Sequence, residues 1–237
     1  MGERKLHFAN GEIYHIVMRA VDKTNLFRDE RDYLRMIHDL FEFNDANPAP
    51  SIFRVNYHRK TNVTKSDLVT LNKRKRKLLV EILAFCLMPN HIHLLVKQLR
   101  ENGVSKFSQK FGGYALYYNK KYKRKGHLFQ DRFRAIHIKT NDQLQTVFVY
   151  IHTNPVAIIF PRWKEKGIKD FKKTRNFIEN YRWSSYSDYL EKKNFPSITS
   201  RDFLKKVMGE PGECREFVNG WLRYKRELAD FDEVAIE

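Results

Sequence analysis

Residues 79–96 are LVEILAFCLMPNHIHLLV, and this stretch decides the fold. Leu79–Leu87 and His91–Val96 are short apolar runs of strand length, and Met88-Pro89-Asn90 between them has the composition of a turn. The stretch therefore predicts a hairpin of two buried antiparallel strands.

The segments on either side of this hairpin alternate between strand and helix patterns. In chain order we predict a strand over Glu12–Arg19, a helix over Asp29–Phe43, the hairpin, a helix over Val104–Tyr122, a strand over Arg132–Lys139 and a helix over Asn141–Thr153. Asn141 is the predicted N-cap of the last helix, and Pro155 follows its end. This order favours an α+β fold in which helices pack on one antiparallel sheet.

The composition is that of a folded, strongly basic protein. The 237 residues include 45 Lys and Arg against 28 Asp and Glu, a net charge of +17, and 42% of them are hydrophobic. The hydrophobic content excludes a disordered basic tail, and 10 Gly and 7 Pro exclude a collagen-like chain. Such a charge usually implies a polyanionic partner, most often nucleic acid, although a merely basic, soluble surface is the alternative.

The positive charge is concentrated in two segments. His58–Lys77 carries +7 and Glu101–Thr140 carries +8, so these segments hold fifteen of the seventeen excess charges. Clustering of this kind favours a binding surface over an evenly basic exterior.

Two regions depart from the alternating pattern and suggest the domain organisation. Ser51–Lys77 is a polar, basic insertion, and Pro196–Glu237 is net acidic with helical patterning. We therefore predict a catalytic or binding domain over residues 1–190 and a small helical appendage over residues 191–237.

The remaining composition points to a reducing, aqueous compartment. The sequence has no apolar run of the roughly 18 residues that span a bilayer, and Met1–Asn10 lacks the apolar stretch of a secretory signal. Cys86 and Cys214 are far apart and have no metal-ligand spacing, which predicts two reduced thiols. We expect a cytoplasmic protein without membrane partners.

His91 and His93 are the sharpest local feature of the sequence. Residues two apart on a strand share a face, so both imidazoles stand on one side of the sheet while Ile92 points into the opposite layer. The ordinary alternative is a pair of buried or edge histidines satisfied by hydrogen bonds. Their position in an otherwise apolar strand favours a cation site, which needs a third ligand from elsewhere.

The end of the last predicted helix offers that ligand and a nucleophile. Tyr150 and Asn154 are four residues apart and share a helical face. If the helix packs beside the His91–His93 strand, a cation, a phenol and a basic surface come together, as a phosphodiester-cleaving enzyme requires. Spacing alone does not single out Tyr150, because Tyr114, Tyr117, Tyr118 and Tyr122 are rivals in the preceding helix.

A set of ordered motifs resembles the REP-associated tyrosine transposases, which belong to the single-tyrosine, His-hydrophobe-His branch of insertion-sequence transposases. The motifs are LMPNHIHLLV (residues 87–96), YYNKKY (117–122), GHLFQDRF (126–133), YIHTNPV (150–156) and WSSY (183–186), with YHIVMR (14–19) as a first strand. The resemblance covers roughly Gly11–Leu190, and the insertion and the tail after Pro196 lie outside it.

The resemblance implies a fold, an activity and a set of site residues. The implied fold is a ferredoxin-like or RRM-like α+β domain. The implied activity is cleavage and strand transfer of single-stranded DNA beside hairpins of repetitive palindromes, with Mg²⁺ or Mn²⁺ and a 5′-phosphotyrosine intermediate. The implied metal ligands are His91, His93 and Asn154, and the implied nucleophile is Tyr150. His152 is assigned a packing or supporting role, since its offset points it elsewhere on the helix.

The second basic segment predicts the DNA-binding surface. In its helix Tyr114 and Tyr118 are expected in the core, while the charged run that follows tracks the DNA backbone. The predicted DNA-binding residues are Lys120, Lys121, Lys123, Arg124, Lys125, Gln130, Arg132 and Arg134.

Two other functions remain open at this stage. A non-catalytic module that binds structured nucleic acid explains the same charge, and a hydrolase of a small phosphodiester explains the histidines but not the charge. The oligomeric state, monomer or homodimer, is also open.

Overall fold

The computed structural model describes residues 6–47, 76–130, 133–168 and 170–223. Its strands are β1 (Ile13–Arg19), β2 (Val80–Met88), β3 (His91–Gln98) and β4 (Arg134–Ile138). They form one antiparallel sheet in the order β2-β3-β1-β4. Only Pro89 and Asn90 separate β2 from β3, which confirms the predicted hairpin.

Helices fill the connections and follow the last strand. They are α1 (Glu30–Phe43), α2 (Gly103–Gln109), α3 (Gly112–Lys121), α4 (Asn141–Thr153), α5 (Val156–Ile159), α6 (Trp163–Lys166), α7 (Phe171–Glu179), α8 (Tyr186–Tyr189), α9 (Asp202–Met208) and α10 (Pro211–Arg223). The order β1-α1-β2-β3-(α2, α3)-β4 with this strand arrangement is the ferredoxin-like βαββαβ topology. The predicted α+β class is confirmed.

The sheet separates two hydrophobic cores. On one face α1, α2 and α3 cover alternate residues of the strands, including Ile16, Leu94 and Ile92. On the other face α4 and the later helices cover Ala84 and Leu95. Ile92 therefore lies in the layer opposite His91 and His93, as the two-residue period predicts.

Two predicted details of the helices are wrong. The segment Val104–Tyr122 is two helices, because hydrogen bonds from the amides of Lys110 and Phe111 to residues three positions back form a tight turn between α2 and α3. Just after this break, Gly113 lies against the Phe43 ring, where an added Cβ would be 3.0 Å from the ring. The N-cap of α4 is Thr140, whose hydroxyl accepts the Gln143 amide, and not Asn141.

The WSSY segment of residues 183–186 is an outer partner of strand β2. The carbonyl of Trp183 accepts the amide of Leu87, and the amide of Ser185 donates to the carbonyl of Phe85. The hydroxyl of Ser185 also accepts the Phe85 amide at 3.0 Å. The segment thus pairs an edge that would otherwise be open.

The helices after residue 190 pack onto the body of the fold. Leu204 and Met208 of α9 and Val218 of α10 are buried in the same hydrophobic cluster as α4. The boundary between residues 190 and 191 stays a prediction. Most of the predicted basic insertion, Ser51–Lys77, lies outside the described residues, which resume at Arg76.

Cys86 and Cys214 are buried free thiols. In the described part of the chain, each helix is too short or too polar to cross a bilayer.

Candidate active site

The candidate site lies on the sheet face covered by α4. His91 and His93 occupy β3, with ring centroids 4.7 Å apart. His93 is fully buried, whereas His91 at the strand's first position is partly exposed. The two-residue strand period places both side chains on this face, as predicted.

Helix α4 brings the tyrosine and the amide to this face. The backbone N–H of Asn154 donates to the backbone carbonyl of Tyr150 at 3.1 Å at the end of the helix. Pro155 follows at the turn into α5. The side chains of Tyr150 and Asn154 are also hydrogen-bonded to each other. Tyr150 is 1% exposed and Asn154 is 6% exposed, so the pair lies under the protein surface.

His93 is the centre of this group. The side-chain amide nitrogen of Asn154 lies 3.0 Å from His93 Nε2, at hydrogen-bond distance. The ring of Tyr150 meets that of His93 edge-on, with centroids 5.4 Å apart. The β3 histidines therefore lie beside the end of the helix, as predicted. The catalytic and metal-binding roles of these residues stay predictions.

His15 on β1 is a member of the group that sequence reasoning did not identify. It is fully buried, and its Nε2 lies 3.0 Å from Nδ1 of His93. Its ring is also 5.8 Å from the ring of Tyr150. The only signal in the sequence is the first-strand motif YHIVMR, in which the two-residue period puts His15, Val17 and Arg19 on one face.

The hydrogen bonds determine which nitrogen each imidazole presents. The side-chain N–H of Asn154 donates to His93 Nε2, which is therefore unprotonated. The proton of His93 is then on Nδ1, which donates a hydrogen bond to His15 Nε2. His91 Nδ1 lies 2.7 Å from Asn90 Oδ1, an acceptor, and so His91 keeps the lone pair on Nε2. Both candidate ligands thus present an unprotonated Nε2, as metal binding requires.

Burial keeps these imidazoles neutral. It lowers the pKa of His91 to about 3, with further lowering by the positive charges of Arg19 and Lys164. Burial lowers the pKa of His93 well below its ordinary value, and the other imidazoles and the same two cations act in the same direction. Burial raises the pKa of Tyr150, while the Asn154 hydrogen bond and the Arg19 charge oppose that rise.

The residues present fit a divalent metal only if Asn154 contributes. The described part of the chain contains no group of three His, Cys, Asp or Glu side chains arranged to hold a metal. The donor set would be two imidazole nitrogens and the Asn154 amide oxygen, which must replace the amide nitrogen that now lies 3.0 Å from His93 Nε2. Water or phosphate oxygens would complete it. Mn²⁺ accepts such a mixed set more readily than Mg²⁺, which prefers oxygen ligands.

The rival tyrosines have structural roles on the opposite face of the sheet. Tyr114 and Tyr118 are fully buried, as predicted. Their hydroxyls donate to the carbonyls of Leu26 and Asn25, both at 2.6 Å. The hydroxyls of Tyr117 and Tyr122 donate to Asp32. Among these five tyrosines, Tyr150 is the one that contacts His93.

The predicted DNA-binding residues that the structure describes lie at and beyond the end of α3, at Gln130 and on β4. Lys120, Lys123 and Lys125 are exposed, at and beyond the end of α3. The chain then returns to the sheet, where the backbone N–H of Gln130 donates to the backbone carbonyl of Arg19 at 2.8 Å. Arg134 is exposed on β4 opposite Val17. Arg132 lies outside the described residues.

Lys121 and Arg124 are engaged within the protein. Lys121 Nζ lies 2.7 Å from Asp32 and 2.8 Å from Asp29, and burial of Asp32 makes the first of these pairs internal. Arg124 Nη1 donates to Asn119 and to the Gly126 carbonyl, both at 3.3 Å. Of the predicted basic run, the exposed lysines are thus better placed to meet DNA than Lys121.

His152 points away from the site. It is fully buried, its Nε2 lies 2.9 Å from the Ser185 hydroxyl, and its ring packs on Phe148. These contacts give His152 the packing role expected from its position on the helix.

Residues 50–154 match the family model for IS200-like transposases. The match includes His91, His93 and Tyr150 and ends at Asn154. It confirms the resemblance to insertion-sequence transposases for a little under half of the chain. It also runs through residues 51–77, which the motifs left unmatched, and it omits β1 and the WSSY segment.

A solved structure of a REP-associated tyrosine transposase bound to a REP hairpin is similar to this chain, with a TM-score of 0.45 and 15% sequence identity. The alignment covers 85% of this chain and 93% of that one. No curated protein matches the sequence.

Proposed function

We propose that this protein is a metal-dependent endonuclease and strand transferase for single-stranded DNA, of the REP-associated tyrosine transposase type. It cuts beside a hairpin through a 5′-phosphotyrosine intermediate at Tyr150. The observation that carries the proposal is the contact of His93 with both Asn154 and Tyr150 on one face of the sheet. The match to the IS200-like transposase model supports the same assignment.

His91, His93 and Asn154 are the residues that would hold the divalent cation, Mg²⁺ or Mn²⁺. When bound, the cation would neutralise charge on the phosphate oxygens and favour the ionised form of the nearby phenol. Asn90 and His15 orient the two imidazoles by hydrogen bonds to His91 Nδ1 and His93 Nδ1, so that each ring keeps Nε2 as its candidate ligand atom.

Tyr150 supplies the nucleophile. A phenol with an ordinary pKa of about 10 is a poor nucleophile at neutral pH, and burial weakens it further. The Asn154 hydrogen bond and the Arg19 charge act in the opposite direction by favouring the phenolate.

The cleavage step conserves the energy of the phosphodiester bond. The Tyr150 oxygen, having lost its proton to solvent, forms a bond to phosphorus. The bond from phosphorus to O3′ breaks, and O3′ leaves with the electron pair and takes up a proton. The 5′ side stays joined to Tyr150, and a new 3′-hydroxyl reverses the step, so strand transfer needs no nucleotide cofactor.

The DNA partner follows from the basic surface and from the motif resemblance. Lys120, Lys123 and Lys125 are exposed beside a chain segment that returns to the sheet at Arg19, next to the candidate site. We propose that the single strand runs from these lysines to Tyr150, and the motif resemblance implies the preference for a hairpin.

The test is formation of a covalent adduct with a hairpin-bearing single-stranded oligonucleotide. With Mn²⁺ or Mg²⁺, the wild type should give a protein–DNA species stable on a denaturing gel, and the chelator EDTA should remove it. Tyr150→Phe should give none. Tyr117→Phe is the matched control, since Tyr117 lies in α3 on the opposite core, and should leave the adduct unchanged.

Two results would contradict the proposal. Equal adduct from Tyr150→Phe would mean that another residue is the nucleophile. Tight hairpin binding that is indifferent to metal and to His91→Ala, without cleavage, would identify a non-catalytic binding module.

A further inference from the structure

Lys164 lies against Tyr150. This lysine is in α6, ten residues beyond the end of the match to the transposase family model. Its Nζ is 4.9 Å from the centroid of the Tyr150 ring, within the range of a cation–π contact. Its side chain is neither fully exposed nor fully buried. A cation therefore covers the ring of a tyrosine that is itself only 1% exposed.

Arg19 brings a second cation to the same cluster from the sheet. It pairs directly with His91 in the register of β1 and β3, and directly paired residues project to the same face. Its Nε is buried and has no hydrogen-bond partner among the described residues. A buried donor without a partner costs free energy, and an anionic ligand would satisfy it.

The two cations act on the same groups. Arg19 and Lys164 both lower the pKa of His91 and of His93, and Arg19 also acts on Tyr150. Lys164 contacts the nucleophile from α6, and Arg19 lies beside His91 on the neighbouring strand. Two partly buried cations that share a cluster of neutral groups attract an anion into it.

We propose that Lys164 and Arg19 form an anion site that binds the non-bridging oxygens of the phosphate attacked by Tyr150. This inference rests on the proposed function and adds a substrate-binding residue, Lys164, that the motifs do not contain. The guanidinium of Arg19 contacts phosphate as a fork, and the ammonium of Lys164 contacts it as a mobile point charge. The flexible lysine stem lets the ammonium leave the ring and follow the entering phosphate.

The same site serves both states of the reaction. The bound phosphodiester and the phosphotyrosine intermediate each carry one negative charge, and charge on the equatorial oxygens increases in the transition state between them. Positive groups in contact with those oxygens stabilise the transition state more than the ground state. Lys164 and Arg19 thus complement the candidate metal ligands, which approach Tyr150 from β3.

The experiment compares three variants with the wild type. Lys164→Met keeps the length of the aliphatic stem and removes the charge, and Lys164→Arg keeps the charge. Lys173→Met is the matched control, because Lys173 is a nearby exposed lysine whose Nζ lies 5.9 Å from the Phe160 ring. Circular dichroism and the thermal midpoint verify that each variant is folded.

The first readout is binding of inorganic phosphate, measured by calorimetry at constant ionic strength without metal. We expect Lys164→Met to bind phosphate at least 5-fold more weakly, and Lys164→Arg and Lys173→Met to bind it about as the wild type does. Unchanged binding by Lys164→Met would overturn the inference. Equal loss in Lys164→Met and Lys164→Arg would also overturn it, because the lysine contact would then be packing and not charge.

The second readout is the rate of adduct formation with the hairpin oligonucleotide. Lys164→Met should slow it by about 100-fold, the usual effect of removing one group that stabilises a developing oxyanion. A normal rate in Lys164→Met would contradict the inference. If the wild type forms no adduct, the proposed function fails, and the phosphate titration still decides whether the anion site exists.

Discussion

The Nε2 of His15 lies 3.0 Å from the Nδ1 of His93, and both rings are fully buried. This contact ties strand β1 to a candidate metal ligand on β3 and leaves the other nitrogen of His93, Nε2, facing the Asn154 side chain. Supporting hydrogen bonds of this kind usually change metal affinity 10- to 100-fold when they are removed.

We therefore expect His15→Ala to weaken Mn²⁺ binding by about 10-fold or more. His15→Gln, which retains an acceptor, should lose less. Calorimetric titration with Mn²⁺ measures both. His137→Ala is the control, since His137 on β4 is paired with Glu12 and not with the site. Wild-type affinity in His15→Ala would exclude a supporting role for this contact.

Lys121 contributes to folding through its ion pair with Asp32. Asp32 is fully buried, and removal of one partner leaves its carboxylate short of a donor. Lys121→Met should lower the free energy of unfolding by about 1–3 kcal/mol. Lys125→Met, at an exposed position of the same basic run, should change it by less than about 0.5 kcal/mol. Urea denaturation measures both values, and equal values would contradict the assignment.

The cost of Lys121→Met should depend on pH. Burial raises the pKa of Asp32, but hydrogen bonds from Lys121, Tyr122 and neighbouring groups outweigh it and hold the pKa below its ordinary value of 3.8. A carboxyl with a lowered folded-state pKa contributes stability that is fully present above 3.8 and is lost as the pH falls through the folded value.

The difference in unfolding free energy between wild type and Lys121→Met should therefore be constant near neutral pH and shrink below about pH 4. Denaturation series at several pH values measure it. A difference that grows on acidification would show that Lys121 stabilises the fold through some group other than a carboxylate.

The exposed lysines beyond α3 should determine the salt dependence of DNA binding. Each phosphate contact to a single strand contributes about 0.7 to the slope of log affinity against log salt concentration. Replacement of Lys120, Lys123 and Lys125 by Gln should reduce the slope by up to about 2. Fluorescence anisotropy with a hairpin oligonucleotide measures the slope.

A control triple variant replaces Lys172, Lys193 and Lys206, which are exposed elsewhere on the protein. It removes the same net charge and should leave the slope nearly unchanged. Equal effects of the two triple variants would mean that DNA senses the overall charge and not this surface.

The sequence predictions were correct where the arrangement of residues depends on a single strand or helix. The two-residue period of β3 placed His91 and His93 on one face, and the four-residue spacing placed Asn154 beside Tyr150. Sequence reasoning failed at the break between α2 and α3, next to which Gly113 lies against the Phe43 ring of another helix. Sequence reasoning also did not foresee the ion pair of Lys121 with Asp32, because the two residues are distant in the chain.

The sequence by itself therefore determined the strand hairpin, the fold class and the two pairs of candidate site residues, because each depends on periodicity within a short segment. Only the tertiary structure decided that His15 supports His93, that Arg19 faces His91 and that Lys164 covers Tyr150. These contacts join segments far apart in the chain, and packing of the sheet and helices brings them together. The pattern of residues within one short segment does not specify contacts with segments far away in the chain.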